Sequence, residues 1–173
     1  DSQGWEVAKM SDVLVIKNGK DHKHLETGTI PVYGSGGIMR YADTFLYDLE
    51  SILIPRKGSL ENLFYIDQPF WCVDTIFYTQ MKFPKSCKYL FYTIQNFKIS
   101  SMNTGTAVPS MTAGVLNNLV LVFPPKETLN RFDATLTHVF QMKDKLESES
   151  QKLEDLRDWL LPMLMNGQVI VGK

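Results

Sequence analysis

An apolar side chain returns at every seventh position along residues 127–164, and this repeat constrains the fold more than any other feature of the chain. The repeated residues are Phe132, Val139, Leu146, Leu153 and Leu160. The companion heptad position is apolar at both ends and polar in the middle, at Lys143, Ser150 and Arg157. Such a helix favours packing against another helix along its length. At about 1.5 Å per residue, the part up to Leu161 would be roughly 50 Å long, too long for one small domain to cover, so we expect it to bind a partner.

The charges within this repeat favour pairing of two copies in antiparallel orientation. In a parallel dimer Lys143 would face Lys143, and like charges at a partly buried seam are costly. In an antiparallel dimer centred on Leu146, every apolar position meets an apolar position of the second copy. The matched pairs are Phe132 with Leu160, Val139 with Leu153, Leu136 with Leu156, and Leu129 with Met163. Two alternatives stay open, namely packing of the helix onto its own domain and pairing with a different chain.

The periodicity changes near Pro124, and this change divides the chain. We expect a globular domain over residues 1–124, a long helix over residues 125–166 and a short extended tail over residues 167–173. Pro162 should kink or end the helix, and Gly167 should stop it. An apolar fraction of 44% with 12% aromatic residues is ample for a packed core. The predicted fold class is α+β, a mixed and mostly β domain followed by a C-terminal helix that forms an antiparallel coiled coil.

Charge and cysteine content argue against several classes of protein. Residues 1–125 hold 11 Lys or Arg against 11 Asp or Glu, and residues 126–166 hold 6 against 8, so any nucleic-acid site must come from local clustering. Cys72 and Cys87 occur without a Cys-x-x-Cys motif, which argues against a metal site and fits a reduced, cytoplasmic setting. No apolar run approaches the roughly 18 residues that a membrane span needs. We therefore expect no metal, no cofactor and no membrane partner.

Within the globular domain, composition predicts several strands and one short helix. Residues 4–16 are predicted to form a short strand or turn followed by a strand, and residues 51–55 a buried strand. Residues 68–79 are dense in β-branched and aromatic side chains, as strands are. Residues 87–97 carry apolar residues at helical spacing, and residues 119–123 predict another buried strand before two prolines.

Polar, glycine-bearing loops between these strands are candidates for contact with DNA. Lysines on such a loop can neutralise phosphates, and amide, hydroxyl or imidazole groups can reach base edges. An Arg at a strand end can form two hydrogen bonds with a guanine or a phosphate. The candidate DNA-binding residues are Lys17, Asn18, Lys20, His22, Lys23, Ser35, Gly36, Arg56, Lys57, Ser59, Asn103, Thr104 and Thr106. For each loop the alternative is an ordinary solvated surface turn.

Seven short stretches, in this order along the chain, resemble the specificity subunit of type I restriction-modification systems. They are Gly4-Trp5, residues 31–37, residues 56–59, Phe70-Trp71 with Asp74-Thr75, residues 105–109, Pro124-Pro125, and Leu160-Leu161-Pro162 with Asn166-Gly167. Each stretch alone is a weak signal, but their order, with the long helix last, is specific to that family. The resemblance covers nearly the whole chain.

The resemblance implies a target recognition domain that reads half of a split double-stranded DNA sequence, and a helix that spaces it from a second such domain. Family members with both halves carry two domains and two helices. This chain has one of each, so it resembles a half subunit that dimerises with itself or with a second half subunit. Catalysis is then expected in methyltransferase and endonuclease subunits that bind the helices, and this chain is expected to be no enzyme, since Asp74 has no recognisable partner group. The alternative is a coiled-coil homodimeric adaptor that binds protein and has no DNA affinity.

Overall fold

The computed structural model describes residues 4–56, 62–97 and 111–167 and has the predicted α+β architecture. The strands are β1 (Glu6–Lys9), β2 (Leu14–Asn18), β3 (Thr27–Gly34), β4 (Gly37–Ala42), β5 (Ser51–Pro55), β6 (Phe64–Ile66), β7 (Trp71–Cys72), β8 (Ile76–Met81) and β9 (Val120–Phe123). The helices are α1 (Met10–Val13), α2 (Cys87–Asn96), α3 (Ala113–Asn117) and α4 (Lys126–Met165). The chain divides into two compact units, Asp1–Asp133 and Ala134–Lys173, so the division falls within α4.

A four-stranded sheet in the order β2-β8-β5-β6, antiparallel throughout, lies at the centre of the first unit. Successive β5 side chains point to opposite faces, with Ile52 and Ile54 in one core cluster and Leu53 in another. Residues of α1, α2 and α3 complete the first cluster, and residues of β3 and β7 complete the second. The central sheet is therefore covered on both faces. The second sheet has the order β4-β3-β7, and within the described ranges β1 pairs with β9 alone.

Two predicted elements are confirmed because their sequence patterns are local. Residues 51–55 form β5, and all five are buried, since a strand covered on both faces reads as a continuous apolar run. Residues 87–97 contain α2, whose buried residues Cys87, Leu90 and Ile94 lie at helical spacing.

In three segments the structure adds to the predictions or departs from them. Residues 68–79, which have strand composition, form two strands, because a turn at Asp74 and Thr75 sends β7 to the second sheet and β8 to the central sheet. Strand β9 was predicted to be buried, but Val120 and Val122 are half exposed because, among the described strands, β9 pairs only with β1. Residues 4–16 contain the helical turn α1 between two strands.

Helix α4 runs without interruption for 40 residues, about 60 Å at 1.5 Å per residue. Pro162 lies inside the helix, which continues to Met165, so the helix does not end at the proline. Gly167 has a φ of +66°, and its N–H donates to the carbonyl oxygen of Leu164 at 3.2 Å, which confirms the predicted stop. Among the described helices, none is long and apolar enough to cross a membrane.

Candidate nucleic-acid interface

One edge of the central sheet collects several of the predicted DNA-binding residues. Strands β2 and β5 both run antiparallel to β8, so both end at the edge where β8 begins. Strand β6 is antiparallel to β5 and begins at the same edge. We call this surface the loop edge, and define it by residues 17–24, Ser35, Arg56, Asn62 and Asp74. The sequence could not show this grouping, because strand order decides which loops become neighbours.

Arg56 lies at the centre of the loop edge and is held from several sides. Its Nη1 lies 3.2 Å from the carbonyl oxygen of Asp74 and 3.4 Å from Oδ1 of Asn18, and donates to both. Its guanidinium carbon lies 4.9 Å from the centre of the Phe77 ring, a cation–π contact. The backbone N–H of Arg56 also donates to the carbonyl oxygen of Thr75 at 2.8 Å. The structure therefore brings together two predicted residues, Asn18 and Arg56, that are far apart in sequence.

The basic loop, residues 17–24, is fixed to the same edge by backbone hydrogen bonds. The N–H of Gly19 donates to the carbonyl oxygen of Ile76, and the N–H of Lys20 donates to that of Cys72, both at 2.9 Å. Nε1 of Trp71 donates to the carbonyl oxygen of Lys20 at 3.1 Å. The side chains of Lys17, Lys20 and Lys23 remain exposed. The loop thus has a hydrogen-bonded backbone that presents cationic side chains to solvent.

Arg40, which sequence reasoning missed, supports the far end of this loop. Its Nη2 donates to the carbonyl oxygens of His22 and Leu25, at 3.2 and 2.7 Å. Nδ1 of His22 and Nε of Arg40 are buried and have no hydrogen-bond partner among the described residues. The predicted base contact of His22 stays a prediction, and its Nδ1 cannot reach a base in this conformation. Arg40 could not be identified from sequence, because its hydrogen-bond partners, His22 and Leu25, lie on the connection between β2 and β3.

The β3–β4 hairpin reaches the loop edge through one hydrogen bond. Gly34 and Gly37 are opposite each other and flank the turn at Ser35 and Gly36. Gly37 needs its glycine because its φ is +114°, whereas a side chain at Gly36 would meet open space. Nδ2 of Asn62 donates to the carbonyl oxygen of Ser35 at 3.1 Å. The predicted contact Ser35 is thus joined to Asn62, which borders the same segment as Arg56.

Five predicted DNA-binding residues lie outside the described part of the chain. They are Lys57, Ser59, Asn103, Thr104 and Thr106. Arg56 and Asn62, which belong to the loop edge, border the first segment. Met111, which follows the second segment, donates its N–H to the carbonyl oxygen of Arg56 at 2.8 Å.

Adding a methyl group at Gly19 should disturb the basic loop. A Cβ at Gly19 would collide with the carbonyl oxygens of Cys72 and Val73, both of which are backbone atoms that cannot move aside. We expect Gly19→Ala to lower the free energy of unfolding by about 2 kcal/mol and to weaken DNA binding. Gly36→Ala is the matched control, since nothing lies within 4 Å of its Cβ, and should change stability by less than about 0.5 kcal/mol. Equal stability of the two variants in urea titrations would contradict this packing.

A buried ionic network occupies the opposite end of the central sheet. Nζ of Lys88 donates to Oδ1 of Asp133 at 2.7 Å and to Oε1 of Glu50 at 3.0 Å, and the Tyr65 hydroxyl donates to Glu50 at 2.6 Å. Burial alone would lower the pKa of Lys88, but the hydrogen bonds to the two carboxylates raise it overall. Burial, followed by the bond to Glu50, raises the pKa of Tyr65. Because Asp133 belongs to α4, this network ties the start of that helix to the sheet.

The second unit presents the apolar residues of the heptad repeat to solvent. Val139, Leu146 and Leu153 are 54%, 57% and 66% exposed. Ion pairs between residues four apart, Lys143 with Glu147 and Lys145 with Glu149, lie on the surface of the helix.

The first turns of α4 do not pack as predicted for the antiparallel dimer. Leu129 was expected to meet Met163 of a second copy, but it is only 3% exposed because its own chain covers it. That pair is excluded. Phe132 is half-buried, with its ring 5.9 Å from that of Tyr89 and 6.5 Å from that of Tyr92. The apolar repeat that a second copy can reach therefore begins at Phe132.

Comparison with known proteins gives one consistent result. A family model described as Type I restriction modification DNA specificity domain matches residues 2–156. The specificity subunit of type I restriction enzyme MjaIX from Methanocaldococcus jannaschii is 22% identical over 196 aligned positions, which cover 98% of this chain and 45% of that protein. The HindI specificity subunit from Haemophilus influenzae is 23% identical over 90 positions, which cover 49% of this chain and 20% of that protein.

Two solved structures share the fold. The S subunit of a type I restriction-modification system from M. genitalium has a TM-score of 0.76 at 18% identity, over 93% of this chain and 46% of that chain. The HsdS subunit from Thermoanaerobacter tengcongensis has a TM-score of 0.61 at 15% identity, over 96% of this chain and 46% of that chain. The present chain spans less than half the length of each of these relatives.

Proposed function

Since the chain belongs to the family of type I restriction modification DNA specificity domains, we propose that it recognises one half of a bipartite double-stranded DNA sequence. The observation that carries this proposal is the loop edge, where Asn18 and Arg56 are in contact beside the basic loop. Exposed lysines suit phosphates, and the guanidinium and amide groups suit base edges. The loop edge therefore combines the positioning and the reading groups that a sequence-specific interface needs.

The individual contacts follow from the chemistry of each side chain. Lys17, Lys20 and Lys23 are proposed to neutralise phosphates, and Asn18 and Ser35 to face base edges. Residues proposed as further contacts are His22, Gly36, Lys57, Ser59, Asn103, Thr104 and Thr106. Lys57 and Ser59 belong to the segment between Arg56 and Asn62. Asn103, Thr104 and Thr106 belong to the segment before Met111, whose N–H donates to the carbonyl oxygen of Arg56.

Two copies are proposed to pair through α4 in antiparallel orientation. The exposed repeat at Val139, Leu146 and Leu153 supports this pairing, since a second copy would cover it. Two identical recognition domains would then read an inverted repeat with an unread spacer. The helix is about 60 Å long and a turn of duplex is about 34 Å, so the half-sites would lie more than one turn apart.

Catalysis is proposed to reside in other chains. Methyltransferase subunits would dock on the paired helices, and endonuclease subunits would join them, so that this chain supplies specificity without a catalytic residue or cofactor of its own. The alternative, a homodimeric adaptor that binds protein, would need the apolar repeat but not the cationic loop edge.

Salt dependence of binding to random duplex DNA tests the proposed function. If three lysines of each copy neutralise phosphates, the dimer makes six such contacts, and its affinity should fall about 2,000-fold between about 50 and 200 mM salt, because the logarithmic slope is about −5.4. The measurement is fluorescence anisotropy with labelled duplex, with the chain alone and with the methyltransferase subunit of the same system. Absence of affinity for duplex in both mixtures would favour the adaptor.

A charge-matched pair of variants shows where the phosphates bind. In the triple variant Lys17→Gln, Lys20→Gln, Lys23→Gln, DNA affinity should lose most of its dependence on salt concentration. The control carries Lys9→Gln, Lys85→Gln and Lys126→Gln, three exposed lysines away from the loop edge, and has the same net charge. Equal slopes for the two variants would place DNA elsewhere on the molecule.

A further inference from the structure

Contacts within the chain itself restrain the orientation of the Arg56 guanidinium group. Asp74 and Asn18 both engage Nη1, and the guanidinium carbon lies 4.9 Å from the centre of the Phe77 ring. Nε and Nη2 make no hydrogen bond to any of the described residues. These two nitrogens form one edge of the fork and carry two parallel N–H donors. The structure thus holds one edge of Arg56 in place and leaves the other edge open.

The charge of Arg56 is also left without a counterion. Its acceptors are a carbonyl oxygen and an amide oxygen, and none of the ion pairs formed by the described residues includes Arg56. A buried cation without a compensating charge is costly, so an Arg with a purely structural role usually has a carboxylate partner. Arg56 therefore keeps its full charge for a ligand that offers two acceptors in one plane.

Two groups of duplex DNA offer such acceptors, namely a phosphate and the O6/N7 edge of guanine. The phosphate role is already proposed for three exposed lysines on the adjacent basic loop. A phosphate contact gains little from a fixed plane, whereas O6 and N7 of guanine lie in one plane and require the guanidinium to be coplanar with the base. The two hydrogen bonds at Nη1 and the cation–π contact with Phe77 restrict that plane. These restraints suit the reading of a base.

We propose that Arg56 reads a guanine in the major groove through Nε and Nη2, with Asn18, Phe77 and the Asp74 carbonyl as positioning groups. This inference rests on the proposed function. Because Oδ1 of Asn18 is engaged by Arg56, the Nδ2 donors of Asn18 are left for an acceptor next to that guanine, such as O4 of thymine or N7 of a purine. The half-site would then contain a guanine with an acceptor-bearing neighbour.

Selection from a random duplex library, followed by affinity measurements on the selected site, tests this assignment. The wild-type chain should enrich one invariant guanine, and Arg56→Lys and Arg56→Ala should lose the preference at that position while keeping the others. The expected loss is about 10–100-fold on the selected site. Replacing that guanine with 7-deazaguanine, which lacks the N7 acceptor, should weaken the wild type and leave Arg56→Ala unchanged.

Lys20→Gln provides the contrasting pattern, because a phosphate contact should weaken all sequences equally and lower the salt slope. If Arg56→Ala shows the Lys20→Gln pattern, with the guanine preference intact, the guanine contact is overturned and the proposed function stands. If the wild type binds no duplex, the proposed function is overturned and the inference with it. Thermal unfolding of each variant checks that the fold is retained, and Arg56→Lys, which keeps the charge, covers the case in which Arg56→Ala unfolds.

Discussion

Replacing Leu146 with Asp should convert the proposed dimer into monomers of 19.8 kDa. In the antiparallel arrangement Leu146 of one copy faces Leu146 of the other, so each substitution removes a buried leucine and places two carboxylates opposite each other. Burial of each leucine contributes about 2 kcal/mol, and the repulsion adds to the loss, so the dissociation constant should rise at least about a thousandfold. Analytical ultracentrifugation at micromolar concentration measures the change.

Ser148→Asp is the matched control, because it adds the same charge to the opposite face of the same helix and should leave the dimer intact. Circular dichroism shows whether both variants keep their helix. Orientation is checked with cysteine variants: Val139→Cys mixed with Leu153→Cys should cross-link, and Val139→Cys alone should not. The native Cys72 and Cys87 are buried, and burial raises the pKa of both thiols, so they should not react. A monomeric wild type would contradict the pairing.

The parts of the fold that could be predicted from the sequence are those whose pattern is local. Strand β5 is a continuous apolar run, α2 and α4 have helical periodicity, and Gly167 is a common helix stop. The split between β7 and β8 could not be predicted, because residues 68–79 have strand composition throughout and only the sheets they join separate them. The exposure of β9 depends on its having a single neighbour among the strands that the structure describes, which its apolar composition does not reveal.

The candidate site shows the same limit at the level of side chains. Asn18 and Arg56 could each be nominated as a polar residue at a strand end, but their contact depends on β2 and β5 flanking β8 in the same sheet. Arg40 and Lys88 were not nominated, because their roles depend on partners distant in sequence. Leu129 fits the heptad repeat, yet it is covered by its own chain because the globular unit reaches the first turns of α4. Periodicity identifies an apolar face and not what covers it.

Replacing Lys88 with Met should lower the free energy of unfolding by about 4 kcal/mol, because the substitution keeps the apolar stem and removes the charge that two carboxylates share. Asp133 has a side chain only 14% exposed, so its carboxylate would be left poorly solvated next to that of Glu50. Urea titration with an unchanged m-value measures the loss. Lys85→Met is the control, since Lys85 is exposed, and it should change stability by less than about 0.5 kcal/mol.

The stability difference between wild type and Lys88→Met should depend on pH, and the direction follows from the shift in the pKa of Lys88. The pKa of Lys88 is raised in the folded state by Asp133 and Glu50 against the effect of burial, so its stabilising contribution is fully present below the unfolded pKa of about 10.4. That contribution is lost as the pH rises through the higher folded value. The gap between wild type and Lys88→Met should therefore be constant from neutral pH to about pH 10 and shrink above it. A gap of less than about 1 kcal/mol at neutral pH would show that Leu129 and Phe132, and not the ionic network, hold the start of α4 on the sheet.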